Sequence, residues 1–231
     1  MPYQHIFFDL DHTLWDFEAN AFYTLQELFS EFRLQEMGVP AFDAFYKTYA
    51  VHNERLWERF RNGYIKRDEL RWKRMWLALL DFKIAQEKLA RDMSVRFLEL
   101  LPVQNRLFPG AIETLDYLQQ KAYPLHLITN GFEETQYLKM KHAGIGHYFT
   151  HVITSESAGS LKPHREIFEY ALRKAGSEAQ HALMIGDALE VDILGAQRAG
   201  IDQVYFNPAV PAAGIRPTYT ISRLADLQQI L

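Results

Sequence analysis

The chain has 231 residues, 48% of them hydrophobic and 14% aromatic, enough apolar material for one large domain or two modest ones and too much for a disordered chain. Its 25 basic and 29 acidic residues leave a net charge of −4, which argues against nucleic acid and anionic membrane as partners. There is no cysteine, so disulfides, thiolate metal sites and a cysteine nucleophile are excluded; with no apolar run long enough to span a bilayer and no secretory pattern at the N-terminus, a cytoplasmic protein is expected.

In chain order, residues 6–8 form the first predicted strand, and Asp9 and Asp11 follow where its apolar run ends. From about residue 16 to 104 the pattern changes to long amphipathic helices over 19–32, 41–60, 67–80 and 85–100, with apolar residues at spacings of three and four. Trp72 and Trp76, four apart, are expected to pack inside that bundle. Pro102, Pro109 and Gly110 then punctuate the return to a regular alternation. A helix over 111–120 is followed by strands over 125–128, 151–153, 182–185 and 203–206, separated by helices over 133–143, 166–175 and 190–199. Gly144, Gly176 and Gly200 stand where those three helices would end in a left-handed residue. Strand and helix in alternation predict an α/β fold with a Rossmann-like parallel sheet, built from residues 1–15 and 105–231, into which residues 16–104 insert a helical-bundle domain.

In such sheets ligands bind beyond the carboxyl ends of the strands, near the point where strand order reverses. Residues i and i+2 of a strand face the same way, so Asp9 and Asp11 aim at one volume. Two close carboxylates cannot both ionise cheaply, which is the layout of a nucleophile beside an acid/base. After the second strand come Thr129, Asn130 and Gly131, a hydroxyl and a turn whose backbone N–H groups suit an anion. Lys162 follows the third strand, and Gly186 and Asp187 the fourth, with Asp192 five residues on. Singly, each also reads as an ordinary turn or a solvated lysine. Together they put carboxylates, a hydroxyl, an ammonium and N–H donors at one sheet edge. Hard oxygen ligands without cysteine favour Mg²⁺, and a cation flanked by lysine and N–H donors suits a phosphate.

Asp9-Leu10-Asp11-His12-Thr13, Thr129, Lys162 and Gly186-Asp187 with Asp192 resemble the four motifs of the haloacid dehalogenase-like hydrolase superfamily, and the helical insert resembles its cap domain. Residues 53–57 (Asn53 to Trp57), 62–65, 128–132 and 192–195 resemble the pyrimidine 5′-nucleotidase subgroup. His12 departs from the pattern, since many members carry glycine there. The resemblance implies a Mg²⁺-dependent phosphomonoester hydrolase working through an aspartyl-phosphate on Asp9, with Asp11 as acid and then base. It implies Thr13, Thr129, Asn130, Gly131 and Lys162 around the phosphate. It also implies Asp9, the backbone carbonyl of Asp11, Asp187 and Asp192 around the metal, Asp192 either as a ligand or behind one. Asn53, Trp57 and Phe132 become the residues expected to meet a nucleoside monophosphate substrate. A sugar-phosphate phosphatase or phosphomutase, a 2-haloacid dehalogenase and a non-catalytic binding module share the layout and stay open. Dehalogenation has little use for Asp11, because halide leaves without a proton.

Residues 51–74 carry eight Lys or Arg against four Asp or Glu. This reads either as a solvated helix face or as an attraction for anionic substrates. The nine histidines show no metal-ligand pattern.

Overall fold

A computed structural model describes residues 3–206 and 214–231. The chain divides into two compact units, one formed by Met1–Phe17 with Asn105–Leu231 and the other by Glu18–Gln104.

The first unit is organised around a six-stranded sheet in the order β3-β2-β1-β4-β5-β6. Its strands are β1 (His5–Phe8), β2 (Leu125–Thr129), β3 (Phe149–Thr154), β4 (Ala182–Gly186), β5 (Asp202–Phe206) and β6 (Tyr219–Ile221), all paired in parallel. The fold class is the α/β parallel-sheet architecture that the alternating pattern predicts. All five residues of both β2 and β4 are buried, as expected of strands covered on both faces. Phe7, Ile128, Ile153 and Met184 pack with Ile167, Phe168, Ala171 and Leu172 of α8 (Arg165–Ala175) in one apolar cluster. The chain runs outward from β1 through β2 to β3, then returns to the other side of β1 at β4, so strand order reverses at β1. A crevice beyond the carboxyl end of β1 is the consequence.

Three helices stop where the glycines predict. Gly144, Gly176 and Gly200, with φ of 72°, 65° and 78°, follow α6 (Glu133–His142), α8 and α9 (Leu194–Arg198). Two features depart from the sequence pattern. β6 is an additional edge strand of three residues, too short to signal itself by periodicity. The helix expected over 190–199 opens instead as a π-turn, Leu189–Ile193, before continuing as α9.

Across the sheet His5, His126 and His151 of β1, β2 and β3 stack ring on ring, with centroid separations of 5.4 and 5.3 Å. His5 Nδ1 and His126 Nε2 lie 3.1 Å apart, and His126 is buried.

The second unit holds most of α1 (Phe17–Glu31) together with α2 (Phe42–Arg61), α3 (Arg67–Asp81) and α4 (Glu87–Leu100). Aromatic edges knit α1 to α2, with Phe22 to Phe42 at 4.9 Å and Phe22 to Tyr46 at 5.1 Å between ring centres. Trp72 and Trp76 are only partly buried; their centroids lie 6.1 Å apart, and the Arg91 guanidinium lies 4.1 Å from the Trp72 ring centre. The expected interior pair is therefore a tilted, half-buried contact, with arginine against the Trp72 ring.

Candidate active site

β1 delivers Asp9 into the crevice with its backbone still bonded to the sheet, Asp9 N–H donating to Ile185 O at 2.9 Å. Beyond it the chain closes a tight loop. His12 N–H donates to Trp15 O at 2.9 Å, Trp15 N–H donates to Leu10 O at 2.8 Å, and His12 takes φ of +66°. A histidine tolerates this left-handed backbone at a cost of about 1 kcal/mol, which explains why glycine suits the position.

Lys162 is the centre of the charge network. Its buried ammonium donates to Asp9 Oδ1 at 2.5 Å and to Asp192 Oδ1 at 2.7 Å. The other oxygen of Asp192 accepts the Ala188 N–H at 3.1 Å, a bond made possible by the π-turn that swings Asp192 back toward Gly186. Gly186 has to be glycine for this: a Cβ there would lie 2.4 Å from Asp192 Oδ2. Asp187 accepts a 3.2 Å bond from the buried Thr13 hydroxyl. Oxygens of Asp9, Asp187 and Asp192 lie within 4.8 Å of one another.

Burial pushes the Asp9 carboxyl well above the usual carboxylate range, with Lys162 opposing and Asp192 and Asp187 adding to the rise. Burial and then the neighbouring Asp192 raise Asp187 to about 7. Burial works against the Lys162 charge, but Asp192 and Asp9 outweigh it and hold the ammonium firmly protonated. One ammonium among three carboxylates leaves a surplus of negative charge that favours a further cation.

Asp11 sits in a different environment. One oxygen accepts from Lys139 Nζ at 2.6 Å and the other from Gln136 Nε2 at 2.8 Å. Burial alone would raise its carboxyl, but Lys139 and Gln136 more than offset this and keep it below the ordinary carboxylate range. The two aspartates that leave β1 thus have oppositely shifted acidities.

A family model for haloacid dehalogenase-like hydrolases matches residues 3–200. The chain belongs to that family. The chain is 32% identical to the pyrimidine 5′-nucleotidase YjjG of Escherichia coli (strain K12), covering 100% of this chain and 99% of the relative. It is 33% identical to the pyrimidine 5′-nucleotidase PynA of Streptococcus pneumoniae, covering 100% and 96%. Among solved structures, a magnesium-bound HAD-hydrolase YfnB from Bacillus subtilis superposes with a TM-score of 0.89 at 31% identity, covering 100% of this chain and 99% of that one.

In this hydrolase the remaining sequence-predicted residues divide by what their atoms already hold. Thr129 is buried, and its oxygen accepts the Gly131 N–H at 3.0 Å. That N–H is therefore spent on Thr129. The Asn130 side chain is spent as well: Nδ2 donates to Lys162 O at 2.9 Å and Oδ1 accepts from Lys162 N at 2.8 Å. Asn130 braces the lysine segment, a job invisible in the sequence because its partner lies 32 residues away. Phe132 is buried at the start of α6. In the second unit Asn53 Oδ1 accepts from Arg74 Nη1 at 3.1 Å and from the Tyr49 hydroxyl at 3.4 Å, and Trp57 packs edge-on to Phe60 at 5.7 Å. Neither motif nor spacing singles out Gln136 and Lys139. Among the described residues no helix is long and apolar enough to cross a membrane.

Proposed function

We propose that this hydrolase cleaves small phosphomonoesters through a covalent intermediate on Asp9, and that its preferred substrates are pyrimidine nucleoside 5′-monophosphates. The observation that carries the first part is the contrast between Asp9, bound to Lys162 among carboxylates, and Asp11, held apart by Lys139 and Gln136. Lys162 favours the ionised form of Asp9 that a nucleophile needs, while the second carboxylate stands apart from that pair, where it can serve the leaving group and the water.

In the first step an Asp9 oxygen attacks phosphorus, the bond from phosphorus to the ester oxygen breaks, and that oxygen keeps the electron pair and takes a proton from Asp11. In the second, Asp11 removes a proton from water as its oxygen attacks phosphorus, and Asp9 leaves with its electron pair. Asp11 stands in the ionised form that the second step needs, so it must take up a proton before the first. Lys162 and the Thr129 hydroxyl balance charge on the transferring oxygens. The donor set of hard carboxylate oxygens and the charge surplus around Lys162 fit Mg²⁺, which Asp9, Asp187 and the Asp11 carbonyl would hold and which would neutralise the phosphoryl group. Asp192, with one oxygen on Lys162 and the other on Ala188 N–H, orients these groups instead of binding the ion directly.

The nucleotide preference rests on likeness to two enzymes named as pyrimidine 5′-nucleotidases and on Asn53. A guanidinium only donates, so the bond from Arg74 fixes the Asn53 oxygen inward and leaves its amide nitrogen as a donor. Such a donor suits the carbonyl that every pyrimidine base presents and adenine lacks. Trp57 supplies a ring for stacking, which tolerates any base. Measuring kcat/KM for uridine, thymidine, adenosine and guanosine monophosphates beside sugar phosphates tests the assignment. Pyrimidine nucleotides should lead adenosine monophosphate by about tenfold or more, the scale of one buried hydrogen bond, and guanosine monophosphate, whose base has a carbonyl of its own, by less. Equal purine values, or a sugar phosphate in front, would refute the nucleotide preference and leave the phosphatase.

A further inference from the structure

Helix α6 is built inside out. Its polar Gln136 and Lys139 are 1% and 2% exposed, while the apolar Tyr137 and Leu138 between them are 50% and 37% exposed. Met140 is the one apolar residue buried on that face, so hydrophobic burial alone does not explain why Gln136 and Lys139 turn inward while Tyr137 and Leu138 turn out. Burying an ammonium costs several kcal/mol unless a partner offsets it, and the partner here is Asp11, with Lys139 Nζ 2.6 Å from Oδ1.

The seat of the lysine is equally specific. Its ammonium lies 4.3 Å from the centre of the Trp15 ring and 5.6 Å from that of Phe17, where an aromatic face attracts a cation. Trp15 belongs to the loop that carries Asp11, bridged to it in the backbone. Gln136, one turn before Lys139 on the same face, takes the second carboxylate oxygen at 2.8 Å. Its nitrogen must be the end that faces Asp11, since an ionised carboxylate accepts only. Space for that amide depends on Gly131, where a Cβ would lie 1.4 Å from Gln136 Nε2. Each oxygen of Asp11 is thus held by a side chain that is itself wedged in place.

We propose that Lys139 and Gln136 are positioning residues for the reaction, a two-point clamp from α6 that fixes the Asp11 carboxylate where it serves the leaving group and the water. This rests on the reading of Asp11 as the acid/base. The clamp acts only through Asp11, so its loss must matter when Asp11 is present and not when it is absent.

The test is a double-mutant cycle on the full chain with Mg²⁺ and uridine monophosphate, combining Lys139→Met with Asp11→Asn, after thermal melting shows each variant folded. Lys139→Met should lower kcat about 10–100-fold, the range expected of a misplaced reacting group, while KM stays within about threefold. In the Asp11→Asn background the same substitution should cost less than about twofold. Gln136→Met should follow the same pattern with a smaller loss, and it decides the matter alone if Lys139→Met does not fold. An equal loss in both backgrounds, or unchanged kcat in folded single variants, overturns the clamp. Full activity of Asp11→Asn by itself would overturn the acid/base reading first, and the clamp with it.

Discussion

Lys162 Nζ lies 2.5 Å from Asp9 Oδ1, so the proposed nucleophile and the ammonium that offsets its charge form one buried ion pair, with Asp192 as its second anchor at 2.7 Å. The pair is a structural commitment as well as a catalytic one. Breaking a buried pair by removing one partner leaves an uncompensated charge and typically costs about 3–5 kcal/mol.

Lys162→Met should therefore both abolish turnover and destabilise the metal-free protein by about that amount near neutral pH. Without the ammonium, nothing opposes the burial that already raises the Asp9 pKa, and its carboxyl moves further up. Such a group favours the folded state while protonated and loses that advantage as pH rises. The stability gap between variant and wild type should thus shrink on acidification. Urea denaturation of both proteins at about pH 5 and about pH 8 reads it; a gap independent of pH would mean that the Asp9 carboxyl does not depend on Lys162.

Asp187, raised to about 7 by burial and by Asp192, gives the metal site a pH dependence. A proton must leave before the carboxylate can bind Mg²⁺, so apparent affinity should fall by roughly tenfold or more per pH unit below about 7. Asp187→Ala should weaken Mg²⁺ binding far more than Asp192→Ala, because Asp192 already spends both oxygens on Lys162 and Ala188. Calorimetric titration with Mg²⁺ alone separates them, and equal losses would put Asp192 among the direct ligands.

The site was legible in the sequence wherever chemistry follows directly on a strand. Asp9, Thr129 and Asp187 each stand at or just past the carboxyl end of a strand, and an apolar run that stops at a charge signals such a position. What escaped the sequence depends on partners far away in the chain. Lys139 and Gln136 look like the solvated face of a helix until Asp11, more than 120 residues earlier, is seen between them. Asn130 looks like part of an ordinary turn until its side-chain amide is found on the Lys162 backbone. The π-turn at Leu189–Ile193 keeps the apolar pattern of a helix while moving Asp192 to Lys162, and periodicity cannot register that displacement.

The histidine stack predicts an acid limit to stability. Burial, then His5 and His151, lower the His126 pKa to about 4, against about 6.5 in an unfolded chain. Between those values the unfolded state binds the proton and the folded state does not. Stability contributed by neutral His126 is therefore complete above about pH 6.5 and is lost as pH falls through about 4, to a total of about 3 kcal/mol. His126→Phe keeps a ring in the stack and removes the titration, so the variant should show a flatter stability profile over that window in chemical denaturation. Parallel profiles would assign the acid sensitivity elsewhere.

In the proposed reaction Asp9 carries the phosphoryl group, and arresting that reaction exposes it. Asp11→Asn still holds the nucleophile but activates water only very slowly, and p-nitrophenyl phosphate needs little acid help to lose its leaving group. Incubated with that substrate and Mg²⁺, quenched in acid and mapped by peptide mass spectrometry, the variant should carry one phosphoryl group, on Asp9. Release of p-nitrophenol without phosphorylation of Asp9 would mean that Asp9 is not the nucleophile.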